Sequence, residues 1–197
     1  TPQDALSIIK KLLIERIPQR FQIDTQDIQV LTPMYRGYCG ADELNAAIQK
    51  QINPTGSLIH KPSQLRVGDK VMQLKNFYEK DVFNGDIGVV ISKHAEGAVV
   101  DFEGRIINYP LVNLKMLTLA YACSIHKSQG SEYPAVVIPV LEEHWSMLQR
   151  DLLYTAMTRG QKLVVIVGQK RAIKKAITSI NSQRRFTHLQ ERLQNVW

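Results

Sequence analysis

Ser124-Ile-His-Lys-Ser-Gln-Gly-Ser-Glu132 is entered from the run Leu117–Ala122 and left through Ala135-Val-Val-Ile-Pro-Val140. The second run is almost continuously apolar. That is what a strand buried on both faces of a parallel sheet requires. The turn follows the carboxyl end of the first run, and a polar, glycine-containing turn at the carboxyl end of a parallel strand is where ligands bind in open α/β sheets. Gly130 permits close approach of backbone to a phosphate. His126, Ser128, Gln129 and Ser131 offer hydrogen bonds, and Glu132 can accept from ribose hydroxyls. A polar surface loop without a ligand is the plain alternative reading of the same residues.

Outward from this stretch the pattern stays α/β. Leu152, Leu153 and Ala156 mark a short helix over Leu152–Met157, followed by Arg159 and a second buried strand, Leu163–Val167. Helices are expected at Lys170–Ile180 and about Thr187–Asn195. Towards the start, Thr1-Pro-Gln-Asp4 is a capping box with proline at the first helical position. Leu6, Ile9, Leu13 and Ile17 then recur at helical spacing, which predicts a helix to about Arg16 that Pro18 ends. Ile28–Thr32 reads as a strand and Pro33–Gly40 as a loop. Leu44, Ile48 and Ile52 lie on one face of a further helix, stopped by Asn53-Pro54-Thr-Gly56. Alternating strands and helices predict a parallel sheet with helices on its faces.

Between about Pro62 and Lys115 the helical period disappears. Short strand-like runs at Lys70–Lys75, Ile87–Ser92, Ala98–Glu103 and Arg105–Tyr109 are separated by the turn pairs Asn84-Gly85, Glu96-Gly97 and Glu103-Gly104. Spacing this close predicts a small antiparallel barrel inserted into the α/β framework.

The chain of 197 residues is 44% hydrophobic and 22% charged, a balance that excludes wholesale disorder. No apolar run approaches the ~18 residues of a membrane-spanning helix. The opening residues have neither initiator Met nor the basic and apolar regions of a signal peptide, which reads as a start inside a longer protein. Cys39 and Cys123 stand far apart, as incidental thiols in a reducing compartment do, and no metal site is expected. The net charge of +7 is unevenly placed: residues 144–197 hold ten Lys/Arg against two Asp/Glu. Such an excess suits a polyanion partner, although a solvated basic helix would look the same.

Two segments, Ser124–Glu132 and Leu152-Leu-Tyr-Thr-Ala-Met-Thr-Arg-Gly160, resemble the fifth and sixth conserved motifs of superfamily 1 helicases. The branch is the RecD-like one, which includes the exodeoxyribonuclease V alpha subunit and stand-alone RecD-like helicases. Val30-Leu-Thr-Pro-Met-Tyr-Arg-Gly37, Leu44-Asn45 and Asn53-Pro54 resemble that branch too. So do Gly68-Asp-Lys-Val-Met72, Asn76, Tyr78 and Phe83-Asn-Gly-Asp-Ile-Gly88. The resemblance covers nearly the whole chain.

It implies a second RecA-like motor domain of P-loop NTPase type, formed by residues 1–60 and 117–197. A Src-homology-3-like barrel would be inserted at 62–116. ATP would lie between this domain and a first motor domain, with Gly130 facing the γ-phosphate, Glu132 the ribose, and Arg159 acting as arginine finger. Thr32, Pro33, Met34 and Arg36 would line a single-stranded DNA channel, with His126, Lys127 and Ser128 near the strand. Asn76, Tyr78, Asn84 and Gly85 would contribute from the barrel loops. Gly160 departs from the alanine commoner after the arginine.

A Walker A loop, G-x-x-x-x-G-K-[ST], occurs nowhere in the sequence, nor does an acidic Mg²⁺-binding segment. The chain is therefore expected to hold one half of an ATP site and to be inactive alone. The parent would be a bacterial, cytoplasmic, 5′→3′ DNA helicase of recombination and repair, acting on single strands and duplex junctions. RecB/RecC-type subunits are among the partners implied. A conjugative relaxase–helicase or phage-type helicase shares these motifs. A non-catalytic single-strand binding module, using barrel and basic tail, is the alternative of another class.

Overall fold

The computed structural model describes residues 1–179 and Gln194; apart from Gln194, the helix expected around Thr187–Asn195 lies outside them. The chain opens with α1 (Pro2–Lys11), capped as its sequence predicts: the Thr1 hydroxyl accepts from the Asp4 amide at 3.3 Å, and the Asp4 carboxylate accepts from the Thr1 ammonium at 2.8 Å. Pro18 does not end the helix. A π turn, Leu12–Arg16, carries it into α2 (Ile17–Phe21), and the Ile17 amide donates to Leu12, five residues back. The wider turn shifts the hydrogen-bond ladder just where proline lacks a donor. The helix stops instead at Gln22, in the left-handed region with φ 54°.

Then follow β1 (Ile28–Thr32), α3 (Ala41–Ile52), β2 (Leu58–His60), β3 (Leu65–Arg66), β4 (Lys70–Gln73) and β5 (Ile87–His94). After them come β6 (Gly97–Phe102), β7 (Arg105–Pro110), β8 (Leu117–Leu119), β9 (Ala122–Ser124) and β10 (Tyr133–Val140). The described part closes with α4 (Arg150–Met157), β11 (Gly160–Gly168) and α5 (Lys170–Thr178).

Four strands form a parallel sheet in the order β11-β10-β1-β9. Its faces alternate along each strand. Ile28, Val30, Ala135 and Val137 pack under α1 and α3 with Ile9, Leu13, Leu44 and Ile48. Leu31, Val136, Ile138 and Val140 pack under α4 and α5 with Leu153, Ala156, Ala172 and Ala176. Each buried Leu or Ile stabilises by roughly 1.5–3 kcal/mol relative to exposure.

The second sheet is antiparallel, in the order β7-β6-β5-β4-β8, around Val71, Val100, Phe102 and Tyr109. The run Leu117–Ala122, expected as one strand, is divided between the sheets. Leu117–Leu119 pairs with β4, whereas Ala122–Ser124 pairs with β1. Ala120 and Tyr121, both buried, make the crossing. Gly160, where alanine is commoner, opens β11. A Cβ there would lie 2.6 Å from a methyl of Val164.

The two sheets are fixed to each other by polar groups. Asp69, fully buried, accepts from Gln49 Nε2 at 2.5 Å, Asn53 Nδ2 at 2.7 Å, the Arg66 amide at 2.7 Å and the Tyr121 hydroxyl at 3.0 Å. Lys70 reaches from β4 to donate to the carbonyls of Gln26 (2.7 Å) and Ile28 (3.2 Å). Buried charges persist only when paired or hydrogen-bonded like this.

Candidate nucleotide and nucleic-acid interface

The stretch Ile125–Glu132 crosses from one edge of the parallel sheet to the other. It begins beside Thr32, which pairs with Ser124, and ends at Tyr133, which pairs with Gly160. Its start is fastened by Asn45 of α3, whose side chain accepts from the Ala122 amide at 2.8 Å and donates to the Ala122 carbonyl at 2.9 Å. Asn45 thus stands in for the missing neighbour of edge strand β9.

At the amino ends of β10 and β11 the segment meets the residues after α4. Arg159 donates through Nη1 to the Ser131 carbonyl at 3.1 Å, through Nε to the Thr155 carbonyl at 3.2 Å, and through Nη2 to the Thr158 hydroxyl at 3.2 Å. A guanidinium has five N–H donors. Three are engaged, so two have no partner among the described residues and can receive phosphoryl oxygens. Gly130 holds φ 86°, and nothing lies within 4 Å of where a Cβ would stand. Its backbone is open to an approaching anion. The exposed Glu132 carboxylate accepts from Gln161 Nε2 at 3.1 Å. The groups present therefore suit a nucleotide phosphate and sugar.

At the opposite edge the expected strand contacts divide. Thr32 is fully buried, and its hydroxyl donates to the Cys39 carbonyl at 2.6 Å. Pro33 is buried as well. Ser128 is fully buried and donates to the Ile125 carbonyl at 2.8 Å. These three shape loops rather than present a surface, which corrects their expected place along a strand. Met34 is half-buried, and Arg36, His126 and the half-buried Lys127 remain accessible. The surface itself is extended by Tyr35 and Tyr38, 46% and 52% exposed. Tyr35 was not singled out from the sequence, yet it bridges the two segments: Ser124 Oγ lies 3.1 Å from its hydroxyl, and Lys127 Nζ sits 5.8 Å from its ring centre.

The barrel residues gather in one loop. Asn76 donates to the Tyr78 hydroxyl at 2.8 Å and accepts from the Asn84 amide at 2.9 Å. Tyr78 is 75% exposed and packs edge-on against Phe83. Gly85 has φ 101° with open space around it. A cleft of about 640 Å³ separates this loop from Ser124–Tyr133, lined by Lys70, Asn84, Gly85, Arg105, Lys127, Gln129, Gly130 and Glu132 among others. Among the described residues no cluster of His, Cys, Asp and Glu is placed to hold a metal ion, and no helix is long and apolar enough to cross a membrane.

Comparison with known proteins matches residues 44–102 to the SH3 domain of ATP-dependent RecD-like DNA helicases, and residues 119–167 to the UvrD-like helicase C-terminal domain. The chain is 38% identical over 146 residues to the ATP-dependent RecD2 DNA helicase of Deinococcus radiodurans, covering 74% of this chain and 20% of that protein. It is 28% identical to the RecBCD enzyme subunit RecD of Buchnera aphidicola, covering 83% of this chain and 28% of the relative. The chain thus spans between a fifth and little more than a quarter of these relatives. In fold it is similar to the Bacteroides Pif1 helicase solved with ADP-AlF3 and single-stranded DNA. That match has a TM-score of 0.56 and 20% identity, covering 98% of this chain and 50% of that one.

Proposed function

We propose that this chain, which matches the RecD-like helicase SH3 domain and the UvrD-like helicase C-terminal domain, is the second motor unit, with inserted barrel, of an ATP-dependent DNA helicase. Residues 1–60 and 117–197 form the motor unit and 62–116 the barrel. The observation that carries the reading is the bond from Arg159 to Ser131. It sets the finger against the Gly130–Glu132 loop with two N–H donors to spare.

ATP held against a first motor domain, which would also carry the Mg²⁺ ligands, supplies the phosphoryl group that is transferred. Arg159 stabilises the charge that develops on it. Gly130 lets the backbone approach the γ-phosphate, and Glu132, steadied by Gln161, orients the ribose. Met34, Arg36, His126 and Lys127 grip one DNA strand, joined by Tyr35 and by Asn76, Tyr78, Asn84 and Gly85 of the barrel. Ser124–Tyr133 touches both edges of the sheet, so one segment links nucleotide state to grip. The parent moves 5′→3′ and opens duplex junctions in bacterial recombination and repair. RecBCD-type assembly is one setting, since several of the relatives are RecD subunits.

In the motor reading the 197-residue chain binds single-stranded DNA in a salt-sensitive way but does not turn over ATP. A turnover assay with and without DNA decides this: DNA-stimulated hydrolysis by the chain alone would sink the half-site reading. A non-catalytic strand-binding module shares both forecasts for the chain alone and parts from the motor reading in the full-length protein, where only the motor reading has Arg159→Ala abolish hydrolysis with DNA binding largely kept.

A further inference from the structure

The carboxyl edge of the parallel sheet continues past the Tyr35–Tyr38 loop onto a second aromatic and basic surface. Trp145 follows β10 through the short turn Glu142–His144, and α5 follows β11, so both stand at this edge. Glu143 joins the two surfaces, since its Oε1 accepts from the Cys39 amide at 3.0 Å. The Trp145 ring, 41% exposed, has the Arg171 guanidinium 5.3 Å and the Lys175 ammonium 5.6 Å from its centre. Lys170 and Lys174 are exposed on the same helix, whose Ala172 and Ala176 are buried in the core. No acidic residue occurs from Leu152 to Ser179. Among the described residues Glu142 pairs with Arg171 at 3.9 Å, which engages one of the four cations of α5.

Cations without matching carboxylates, arranged around an accessible indole, suit phosphates beside a stackable base. A protein partner would need an acidic surface, and it would leave the continuity with the Tyr35–Tyr38 loop without a purpose. We propose that Trp145, Lys170, Arg171, Lys174 and Lys175 form an extension of the strand-binding surface, which holds single-stranded nucleic acid after it leaves the Arg36 loop. Bases stack at Trp145, and the α5 cations take the phosphates. This rests on the strand-binding part of the function proposed above.

The test uses the whole chain with labelled oligothymidylates of about 6 and about 20 nucleotides, a range bracketing common site sizes. Trp145 and Trp197 are the two tryptophans, so Trp197→Phe leaves Trp145 as reporter. Its fluorescence is expected to be quenched by the longer oligonucleotide. Arg171→Gln with Lys174→Gln is expected to weaken binding of the longer one about tenfold and to lower the log–log salt slope by about 1.4, at roughly 0.7 per phosphate contact. Binding of the shorter one stays unchanged. Trp145→Ala is expected to weaken the longer complex, and Trp145→Phe to restore most of it. Absence of quenching, wild-type affinity in the double variant, or equal loss for both lengths overturns the extension. A wild-type chain that binds neither length overturns the strand-binding reading as well.

Discussion

Arg159 Nη1 lies 3.1 Å from the Ser131 carbonyl, joining the end of α4 to the loop before β10 across 28 residues of sequence. The backbones are tied at the same place, since the Tyr133 amide donates to the Arg159 carbonyl at 2.8 Å. A displacement of the loop must therefore displace the guanidinium. This is the physical route by which nucleotide and strand would sense each other through Ser124–Tyr133.

Gln161 is expected to act on nucleotide affinity rather than turnover. It donates to Glu132 from the second residue of β11, and both side chains are exposed. In the full-length protein Gln161→Ala should raise the KM for ATP by roughly two- to fivefold with kcat little changed, the pattern of lost uniform binding. Steady-state kinetics at saturating DNA measure it. A selective fall in kcat would place Gln161 in the chemistry instead.

Asp69 is expected to be the most sensitive polar position for stability. Asp69→Ala would leave four donors, from Gln49, Asn53, Arg66 and Tyr121, without their acceptor. The cost should be about 3–5 kcal/mol in denaturant unfolding of the chain. Asp69→Asn should also destabilise, because an amide presents N–H groups to donors. A loss below about 1 kcal/mol in both variants would contradict the network.

Lys70 should make stability rise with pH in the alkaline range. Burial pushes its ammonium from the ordinary 10.5 down to about 8, although Cys123 and Asp27 pull the other way. Between those values the unfolded chain binds more protons than the folded one. The cost of the buried charge is present in full below pH 8 and is relieved as pH rises to about 10.5. The stability of wild type relative to Lys70→Met should therefore rise over this window, by at most about 1.4 kcal/mol per pH unit. Subtracting the variant removes most of the contribution of Cys and Tyr titration. A difference flat across pH 8–10.5 would contradict the buried ammonium.

Strands of both sheets were readable because their signal is local. Six nearly unbroken apolar residues at Ala135–Val140, and the turn pairs at Asn84-Gly85 and Glu103-Gly104, identify strands without reference to distant partners. Pro18 misled because the π turn that absorbs it has no sequence signature. Leu117–Ala122 misled because a single apolar run cannot show that its two ends serve different sheets. Thr32 and Ser128 carry hydroxyls that suit DNA, yet both satisfy loop carbonyls, a choice that only the backbone path reveals. Asp69 and Tyr121, 52 residues apart, meet only in the folded chain. Arg36 and His126 are exposed and Lys127 half-buried, so their side chains stay accessible, and Gly130 and Glu132 are exposed too.

The most direct measurement of the central claim is the replacement of Arg159 by Ala in the full-length protein, assayed for DNA-stimulated ATP hydrolysis and for single-strand binding. An arginine finger predicts hydrolysis reduced by about 10³-fold or more, with DNA affinity within about threefold of wild type, because Arg159 sits at the edge of the sheet opposite Arg36 and Tyr35. Hydrolysis close to wild type, or parallel loss of hydrolysis and binding, would contradict it.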